Sequence, residues 1–309
     1  MHMLGQLLAT LLVVGAAYQA AQWLRATPSV HGAAVVIVGA SSGIGRSLAL
    51  EYARSGAQLL LCARRAPELN KVREECSRLS PHAVRHVVGD ITRSETQDRL
   101  VEAAQTHFGG RVDYVVLNAG SISVQQVVDL WGMRGNDHTL RDASPEAITR
   151  ADTAMRAIME INVFAPVRVA GLFLPMLARA RGVIVVVSSM AGLVAAPTRS
   201  LYSASKHAVS GYFAALRMEV RALGVDVTIA YPGTVDTELR RSAVDGDGGR
   251  AAGSERGKLS PLKCARQILR AAALRQPSLV TPAPYWLSSI VHAFAPGLVE
   301  YLARRKYGL

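Results

Sequence analysis

The chain has 309 residues, of which 50% are hydrophobic and 6% aromatic, and its formal net charge is +12. This composition excludes collagen-like and disordered chains, and the length is sufficient for one large domain or two small ones. The positive charge is compatible with binding nucleic acid, anionic lipid or an anionic cofactor. The sequence has no zinc-finger, basic-zipper or RNP-like pattern that would favour nucleic acid.

The first 25 residues favour a membrane anchor. Met3 to Leu24 contains no charged residue, and Arg25 follows directly. A helix that spans a bilayer needs about 20 residues, and Trp23 and Arg25 would then lie at the interface. A cleaved signal peptide is the alternative, because small residues surround positions 17–21, although the usual basic n-region is missing. A soluble helix is the third possibility.

The rest of the chain alternates between strand and helix patterns. A continuous apolar run is typical of a strand buried on both faces of a parallel sheet. Residues 33–38 form such a run, and similar runs cover residues 58–62, 84–88, 114–117, 183–187 and 225–230. Amphipathic helical patterns lie between them, over residues 44–55, 67–79, 94–108, 148–181 and 203–223. This alternation predicts an α/β fold, a single Rossmann-type, doubly wound parallel sheet with helices on both faces.

Three segments fall outside this alternation. Residues 125–145 are predicted to form a loop, and the Gly-rich, charged residues 245–258 a flexible segment that closes over substrate. Residues 278–309 are apolar and aromatic, and we expect them to lie on a bilayer, cap an apolar pocket, contact a second copy or join the core. The predicted domains are therefore an anchor (1–25), a catalytic domain (30–277) and a C-terminal extension (278–309).

A glycine-rich turn joins the first strand to the first helix and predicts a dinucleotide site. Gly39 permits the tight turn, Gly43 lets the backbone approach a pyrophosphate, and Gly45 lets helix and strand pack closely. The start of the helix offers free N–H groups and the positive end of its dipole to phosphate. The full motif is Gly39-Ala40-Ser41-Ser42-Gly43-Ile44-Gly45.

The second strand run is followed by Arg64 and Arg65, and the next acidic residue is Glu68. NAD-binding sites tend to carry an acid here for the ribose hydroxyl, whereas arginine suits the 2′-phosphate of NADP. These residues therefore favour NADP(H) over NAD, the alternative being two solvated arginines. Asp90, after the third run, could accept a hydrogen bond from the adenine or form an Asx turn.

Tyr202 and Lys206 are four residues apart, a spacing that puts both side chains on one face of a helix. A phenol with a pKa of about 10 is a poor acid or base at neutral pH. A nearby ammonium group and a nicotinamide charge favour the phenolate, so we expect a lowered pKa for Tyr202. This pair predicts proton transfer next to a bound cofactor. Cys62, Cys76 and Cys264 have neither disulfide-framework nor metal-site spacing, and Cys62 is expected in the core.

Taken together, these motifs resemble the short-chain dehydrogenase/reductase family over roughly residues 33–240. The matching residues are the glycine motif from Gly39 to Gly45, Asn118-Ala119-Gly120, Asn162, Ser189, Tyr202 with Lys206, and Pro232-Gly233. Their occurrence in the family's order is what gives the resemblance its weight.

The resemblance implies a role for each catalytic residue. Tyr202 is the general acid/base, and Lys206 binds the nicotinamide ribose and lowers the pKa of Tyr202. Ser189, thirteen residues before Tyr202, hydrogen-bonds the substrate oxygen in preference to Ser188. Asn162 holds a water that links Lys206 to a proton relay.

The resemblance also implies cofactor contacts after the fourth and sixth strands. Small residues after the fourth strand let the backbone close over the cofactor, and the sixth strand leads into a turn that contacts the carboxamide and pyrophosphate. The residues concerned are Asn118, Ala119, Gly120, Pro232, Gly233, Val235 and Thr237.

The anchor, the arginine pair and the apolar tail look most like membrane-bound members of the family, the 11β-hydroxysteroid dehydrogenase-like, dehydrogenase/reductase-7-like and 3-ketodihydrosphingosine reductase-like groups. This likeness implies an NADP(H)-dependent enzyme of the endoplasmic reticulum membrane, a homodimer, that interconverts carbonyl and alcohol on a steroid, retinoid or sphingoid ketone. The alternatives are a catalytically silent nucleotide-binding sensor or scaffold, and an epimerase or dehydratase of the extended family. All four catalytic residues are present, which counts against the first, and the glycine spacing counts against the second.

Overall fold

The structure is a computed structural model that describes residue 15 and residues 25–134, 139–245 and 258–307. Apart from Gly15 and Arg25, the predicted anchor lies outside the described residues. The same is true of the predicted flexible segment, apart from Asp245 and Lys258 at its two ends.

Seven parallel strands form one sheet in the order β3-β2-β1-β4-β5-β6-β7. They are β1 (Ala34–Val38), β2 (Gln58–Ala63), β3 (Val84–Val88), β4 (Tyr114–Leu117), β5 (Val183–Val187), β6 (Asp226–Pro232) and β7 (Ser278–Thr281). The first six confirm the predicted runs. The placement of β7 in an extension beyond residue 277 was wrong, because this strand pairs with β6 and completes the sheet. Its four residues are too few and too exposed to form a detectable apolar run.

Helices cover both faces of the sheet, as predicted. They are α1 (Gly43–Arg54), α2 (Ala66–Leu79), α3 (Ser94–Phe108), α4 (Val127–Leu130), α5 (Pro145–Met159), α6 (Ala165–Ala180), α7 (Ser200–Glu219), α8 (Pro261–Ala273), α9 (Pro284–Phe294) and α10 (Pro296–Tyr307). Alternate residues of β1 enter different cores, since Val35 and Ile37 pack on one face and Val36 and Val38 on the other. This period of two is the reason a continuous apolar run builds a sheet with two buried faces.

The predicted single helix over residues 148–181 is three elements. A π-helical turn, Glu160–Phe164, joins α5 to α6 and carries Asn162 to a buried position. The run Pro145–Ala180 is long enough to cross a membrane and contains an 18-residue window with a mean hydropathy of 1.7, but half of that window is buried within the fold. It is therefore packed as a core helix.

The loop predicted over residues 125–145 contains the one-turn helix α4 and an isolated antiparallel bridge between Arg134 and Leu140. The strand order reverses between β1 and β4, whose carboxyl ends leave a crevice between them. In open α/β sheets this switch point is where ligands bind, and the glycine motif follows β1 at this position.

Candidate active site

A cavity of about 1010 Å³ opens at the carboxyl ends of the central strands. Eighteen of the predicted site residues line it: Gly39, Ser41, Ser42, Gly43, Ile44, Arg64, Arg65, Asp90, Asn118, Ala119, Gly120, Ser189, Tyr202, Lys206, Pro232, Gly233, Val235 and Thr237. Gly45 and Asn162 are not among the residues that line it. The cavity is thus large enough for an elongated ligand, and it brings the glycine motif and the Tyr-Lys pair to one space.

The glycine motif has the close backbone contacts that its sequence predicts. Gly39 has φ +85°, and a Cβ there would lie 2.6 Å from the backbone nitrogen of Ala119. A Cβ on Gly45 would collide with the carbonyl oxygen of Gly39, which also accepts a hydrogen bond from Asn118 Nδ2 at 2.8 Å. The turn therefore needs glycine for packing at Gly45 and for backbone approach at Gly39, and the cradle beneath α1 stays open for a phosphate.

Of the two adjacent arginines, Arg65 lies over the glycine motif. Its Nη2 donates to Ser42 Oγ at 2.6 Å and to Ser41 Oγ at 3.2 Å, and its Nη1 is 3.7 Å from a carboxylate oxygen of Glu238. Arg64 instead faces Asp90, with 3.7 Å between Nη1 and Oδ2. Both guanidinium groups are partly exposed at the cavity rim, where a phosphate could replace these surface contacts at low cost.

Asp90 forms the Asx turn that was one of the two interpretations considered for it. Its Oδ1 accepts hydrogen bonds from the Thr92 backbone N–H at 3.0 Å and from Thr92 Oγ1 at 2.8 Å, which is an Asx turn. It also lines the cavity. The turn fixes one carboxylate oxygen and leaves the other turned towards Arg64.

Ser189 and Tyr202 meet at the far end of the cavity. Tyr202 is 7% exposed, and its phenol interacts with the Ser189 hydroxyl, which lowers the pKa of Tyr202. Ser189 Oγ accepts from the Ala191 N–H at 3.2 Å, so its own hydrogen is available for Tyr202. The neighbouring Ser188 points elsewhere, with its Oγ 2.8 Å from Ser210 Oγ. The geometry therefore places Ser189 rather than Ser188 at the phenol.

The protein groups alone do not lower the pKa of Tyr202. Burial raises this pKa above its ordinary value, and the Ser189 hydrogen bond and the charge of Arg199 only partly oppose that effect. The lowered pKa expected from the sequence is thus not a property of the chain by itself. Burial has the opposite effect on the cation, since it lowers the pKa of Lys206 to about 8.

Lys206 is held on the same face of α7 as Tyr202. Its Nζ donates to the carbonyl oxygen of Val187 at 3.2 Å and lies 5.8 Å from the centre of the Tyr202 ring. A Cβ added to Gly120 would lie 3.7 Å from this Nζ, so the absence of a side chain at Gly120 keeps the space beside the ammonium group open.

Asn162 ties three elements together behind the cavity wall. Its Oδ1 accepts from the Ser121 N–H at 2.9 Å, and its Nδ2 donates to the Ser121 carbonyl at 3.0 Å and to Ser205 Oγ at 2.9 Å. Ser205 Oγ in turn donates to the carbonyl oxygen of Tyr202 at 2.8 Å. The π turn is what points this amide inward, so that it fixes the loop after β4 relative to α7.

Residues 33–248 match the short chain dehydrogenase family, and this match spans the glycine motif, Asn162, Ser189, Tyr202 and Lys206. The chain belongs to this family. It is an oxidoreductase whose substrates are small molecules, built on the seven-stranded Rossmann-type sheet described above.

Several curated relatives resemble this dehydrogenase over most of its length. "Dehydrogenase/reductase SDR family member 7B" from Bos taurus is 33% identical over 287 residues, 90% of this chain and 82% of the relative. "11-beta-hydroxysteroid dehydrogenase A" from Sesamum indicum is 32% identical over 286 residues, 90% of this chain and 76% of the relative.

Among solved structures, a short-chain dehydrogenase/reductase from Burkholderia phymatum in complex with NAD has a TM-score of 0.71 at 21% identity. The comparison covers 88% of this chain and 96% of that one. An alcohol dehydrogenase from Thermococcus sibiricus complexed with 5-hydroxy-NADP has a TM-score of 0.65 at 24% identity, over 82% of this chain and 97% of that one. At these identities the likeness supports the fold alone.

Sequence reasoning missed a clamp at the edge of the dehydrogenase's cavity. Asp245, predicted to begin a flexible segment, is only 7% exposed. Its Oδ2 accepts from Ser123 Oγ at 2.7 Å, the Val124 N–H at 2.9 Å and the Gln125 N–H at 3.0 Å. The segment after β6 is thereby fastened to the loop after β4.

Further contacts on the cavity side of this clamp join the same two segments. Ser121 Oγ donates to the carbonyl oxygen of Ser242, and the Val244 N–H donates to that of Ile122 at 2.9 Å. Ser121, Ile122 and Ser242 line the cavity. Their partners are about 120 positions apart in the chain, so no local pattern could have revealed them.

The C-terminal helices close the remaining side of the cavity. The ring of Tyr285 packs on Gly233, where an added Cβ would lie 2.5 Å from a ring carbon. Apolar residues of α9 and α10 continue this wall, which consists of Tyr285, Leu287, Val291, Val299, Leu302 and Ala303. Capping of an apolar pocket was one of the predicted roles for the tail, and the structure places the tail there.

Proposed function

We propose that this short-chain dehydrogenase is an NADP(H)-dependent enzyme that interconverts a carbonyl group and an alcohol on a lipophilic substrate. The observation that carries the proposal is the convergence of Ser189, Tyr202 and Lys206 on the cavity that also contains the glycine motif. A phenol, a hydroxyl and an ammonium group at one end of a dinucleotide groove are suited to moving one proton as a hydride is transferred.

The preference for NADP rests on the charge at the cavity rim. Arg65 bonds to two serine hydroxyls of the glycine motif, and Arg64 stands beside it. A guanidinium group matches the oxygens of a ribose phosphate, and no acidic residue occupies the position after β2 where NAD-type sites carry one. The residues present thus suit NADP.

Residues of the chain would bind the carbonyl oxygen and transfer the proton. A bound nicotinamide supplies the hydride to the carbonyl carbon, or accepts it in the reverse direction. Ser189 holds the carbonyl oxygen by a hydrogen bond, and Tyr202 gives its hydroxyl proton to that oxygen as the C–O double bond becomes single. Lys206 favours the resulting phenolate through its charge, and the burial that lowers its own pKa lets it release a proton in turn.

The lipophilic substrate follows from the C-terminal wall. Leu287 and Leu302 line the cavity, yet each is more than half exposed on its other side. Phe294, Leu298 and Tyr301, in the same C-terminal part of the chain, are also exposed. An apolar surface that is continuous with an active-site cavity suits a substrate that arrives from a lipid phase.

Membrane association, with the endoplasmic reticulum as the compartment, is part of the proposal. Gly15, in the uncharged N-terminal stretch of the sequence, lies against Trp286 of α9. The last turn of α10 carries Arg304, Arg305 and Lys306, which suit anionic headgroups. We also expect a second copy of the chain as a partner, in a homodimer that buries the same apolar surface.

The decisive experiment is a screen for NADPH-linked reduction of long-chain ketones, steroids and retinoids by the membrane fraction. We expect turnover that Y202F abolishes and that Y212F, a change at an exposed tyrosine of the same helix, preserves. Tight NADPH binding without any turnover would instead favour the sensor or scaffold alternative. Activity confined to small polar carbonyls would remove the lipophilic part of the proposal.

A further inference from the structure

Arg199 is a buried cation in the wall of the cavity. It immediately precedes α7, is 5% exposed and lines the cavity. Its Nη1 is buried without a hydrogen-bond partner among the described residues, and none of the ion pairs found among them includes this arginine. Leaving a charged donor buried and unmatched costs stability, so an unmatched arginine indicates a partner that comes from outside the chain.

Other arginines of this chain meet a carboxylate even though they are far more exposed. Arg46 pairs with Glu75 at 2.6 Å, and Arg275 pairs with Asp226 at 2.7 Å. Arg199 has less access to water than either, and therefore a greater need for an anion. Its situation is not the usual one for an arginine in this protein.

The position of Arg199 relates it to the substrate rather than to the cofactor phosphates. It lies three residues, almost one helical turn, before Tyr202. Its charge lowers the pKa of Tyr202, so the guanidinium group is within electrostatic range of the proposed proton donor. The phosphate-directed residues, Arg64 and Arg65, follow β2, on the other side of the sheet's switch point from α7.

We propose that Arg199 binds an anionic group, a carboxylate or a phosphate, carried by the substrate close to its carbonyl. The substrate is then an amphiphile, with its charged end at Arg199 and its hydrocarbon along the wall formed by Leu287, Val291 and Leu302. Charge-assisted bonds from a guanidinium group to either anion are strong and directional. This inference rests on the proposed function and specifies its substrate class.

The test compares ketones with and without an anionic group. One pair is a long-chain γ-keto acid and its methyl ester, and the other is a long-chain ketone with a phosphate beside the carbonyl and the same ketone with a free hydroxyl there. We expect wild type to prefer at least one anionic member in kcat/KM, and R199Q to reduce that preference about 10- to 100-fold. R199K should restore part of it, and R156Q, at an exposed arginine of α5, should leave it unchanged.

The ratio of kcat/KM for the anionic ketone to kcat/KM for its neutral counterpart separates anion binding from an effect of Arg199 on Tyr202. If R199Q acted only through the pKa of Tyr202 or through folding, the charged and neutral ketones would lose rate equally, and the proposal would be overturned. A wild type that reduces the neutral members as well as the anionic ones would overturn it too, while leaving the proposed reductase function intact. The pair that responds identifies carboxylate or phosphate.

A binding measurement tests whether Arg199 binds an anion even if none of these ketones turns over. NADPH-loaded Y202F is titrated with dodecanoate, dodecyl phosphate and dodecanol, and the same titration is repeated with wild type. We expect one of the two anions to bind at least about tenfold more tightly than the alcohol, and the difference to disappear with R199Q. Equal affinities for all three in wild type would reject the anion site without reference to any variant.

Discussion

Asn162 and Ser121 hold each other through two reciprocal hydrogen bonds, one in each direction between the amide side chain and the peptide backbone. Both partners are buried. The arrangement uses the acceptor and the donor of one amide, so that only asparagine, and not an isosteric acid, satisfies it. Asn162 lies in the π turn between α5 and α6, and this turn directs its amide inward.

Replacing Asn162 with Asp tests this relationship without changing the size of the side chain. The carboxylate cannot donate to the Ser121 carbonyl or to Ser205, so the variant should lose about 2–3 kcal/mol of unfolding free energy. It should also reduce kcat, because α7 and the loop after β4 lose their common support. Chemical denaturation and steady-state kinetics measure the two effects. N70D, a change on the partly exposed helix α2, is the control and should alter neither.

Ser189→Ala and Ser188→Ala form a matched pair of adjacent residues. Interaction with the Ser189 hydroxyl lowers the pKa of Tyr202, whereas Ser188 bonds to Ser210. We expect S189A to lower kcat for reduction about 100-fold. Because the alanine removes an interaction that favours the phenolate, the alkaline loss of reductase activity should move to higher pH.

S188A should retain most of the rate and keep the alkaline limb where it is in wild type. A pH–rate profile of kcat for the three proteins is the measurement. A profile that moves to lower pH in S189A, or moves equally in both variants, would contradict the placement of Ser189 at the phenol.

Much of the fold and of the site could be predicted because the relevant signals are local. Six strands coincide with largely apolar runs, and the glycine motif and the Tyr202–Lys206 pair each fit within a few residues. The π turn could not be predicted, because the apolar periodicity of α5 passes into α6 without a break. The strand β7 was missed because its four residues, Ser278–Thr281, carry no period that distinguishes them from a loop.

Arg199 and Asp245 were missed for a different reason. Each looks like an ordinary surface residue in its sequence neighbourhood, and the structure buries both. The partners of Asp245 come from the loop after β4. The lowered pKa expected for Tyr202 depends also on the nicotinamide charge, because in the chain alone the desolvation of the phenol outweighs the opposing effects of Ser189 and Arg199.

Lys206 should leave a signature in the pH dependence of stability. Its pKa is lowered from 10.5 to about 8 in the folded chain. Between these two pH values the unfolded chain binds a proton that the folded chain lacks, so this group's contribution to stability rises with pH. The unfolding free energy of wild type minus that of K206M should therefore increase by about 2–3 kcal/mol from about pH 7 to about pH 10.

Taking the difference from K206M removes the other alkaline titrations, such as that of Cys62, whose pKa burial raises to about 12. Denaturant unfolding at a series of pH values provides the measurement. A difference that stays flat or decreases over this range would mean that Lys206 is not desolvated in the folded protein.

Arg65→Gln should weaken the preference for NADPH over NADH without abolishing cofactor binding. Its guanidinium group bonds to Ser41 and Ser42 and faces the cavity, so the change removes one charge from the proposed phosphate site. The affinity for NADPH should fall about 10- to 100-fold, and that for NADH should change little. Fluorescence titration measures both, with R78Q at the end of α2 as the control. Equal losses of affinity for the two cofactors would mean that Arg65 stabilises the glycine motif and does not bind the ribose phosphate.

Asp245→Asn tests whether the clamp positions the substrate side of the cavity. Three donors converge on Oδ2 of this buried carboxylate, and the neutral amide is a weaker acceptor for all of them. The segments that it fastens carry Ser121, Ile122 and Ser242 to the cavity wall. We expect KM for the ketone to rise about tenfold, with a larger rise in D245A, while KM for NADPH changes less than about twofold. D152N, at a partly exposed position of α5, is the control and should change neither KM. If D245N instead raised the KM for the ketone and the KM for NADPH equally, the clamp would support the fold in general and would not position the substrate.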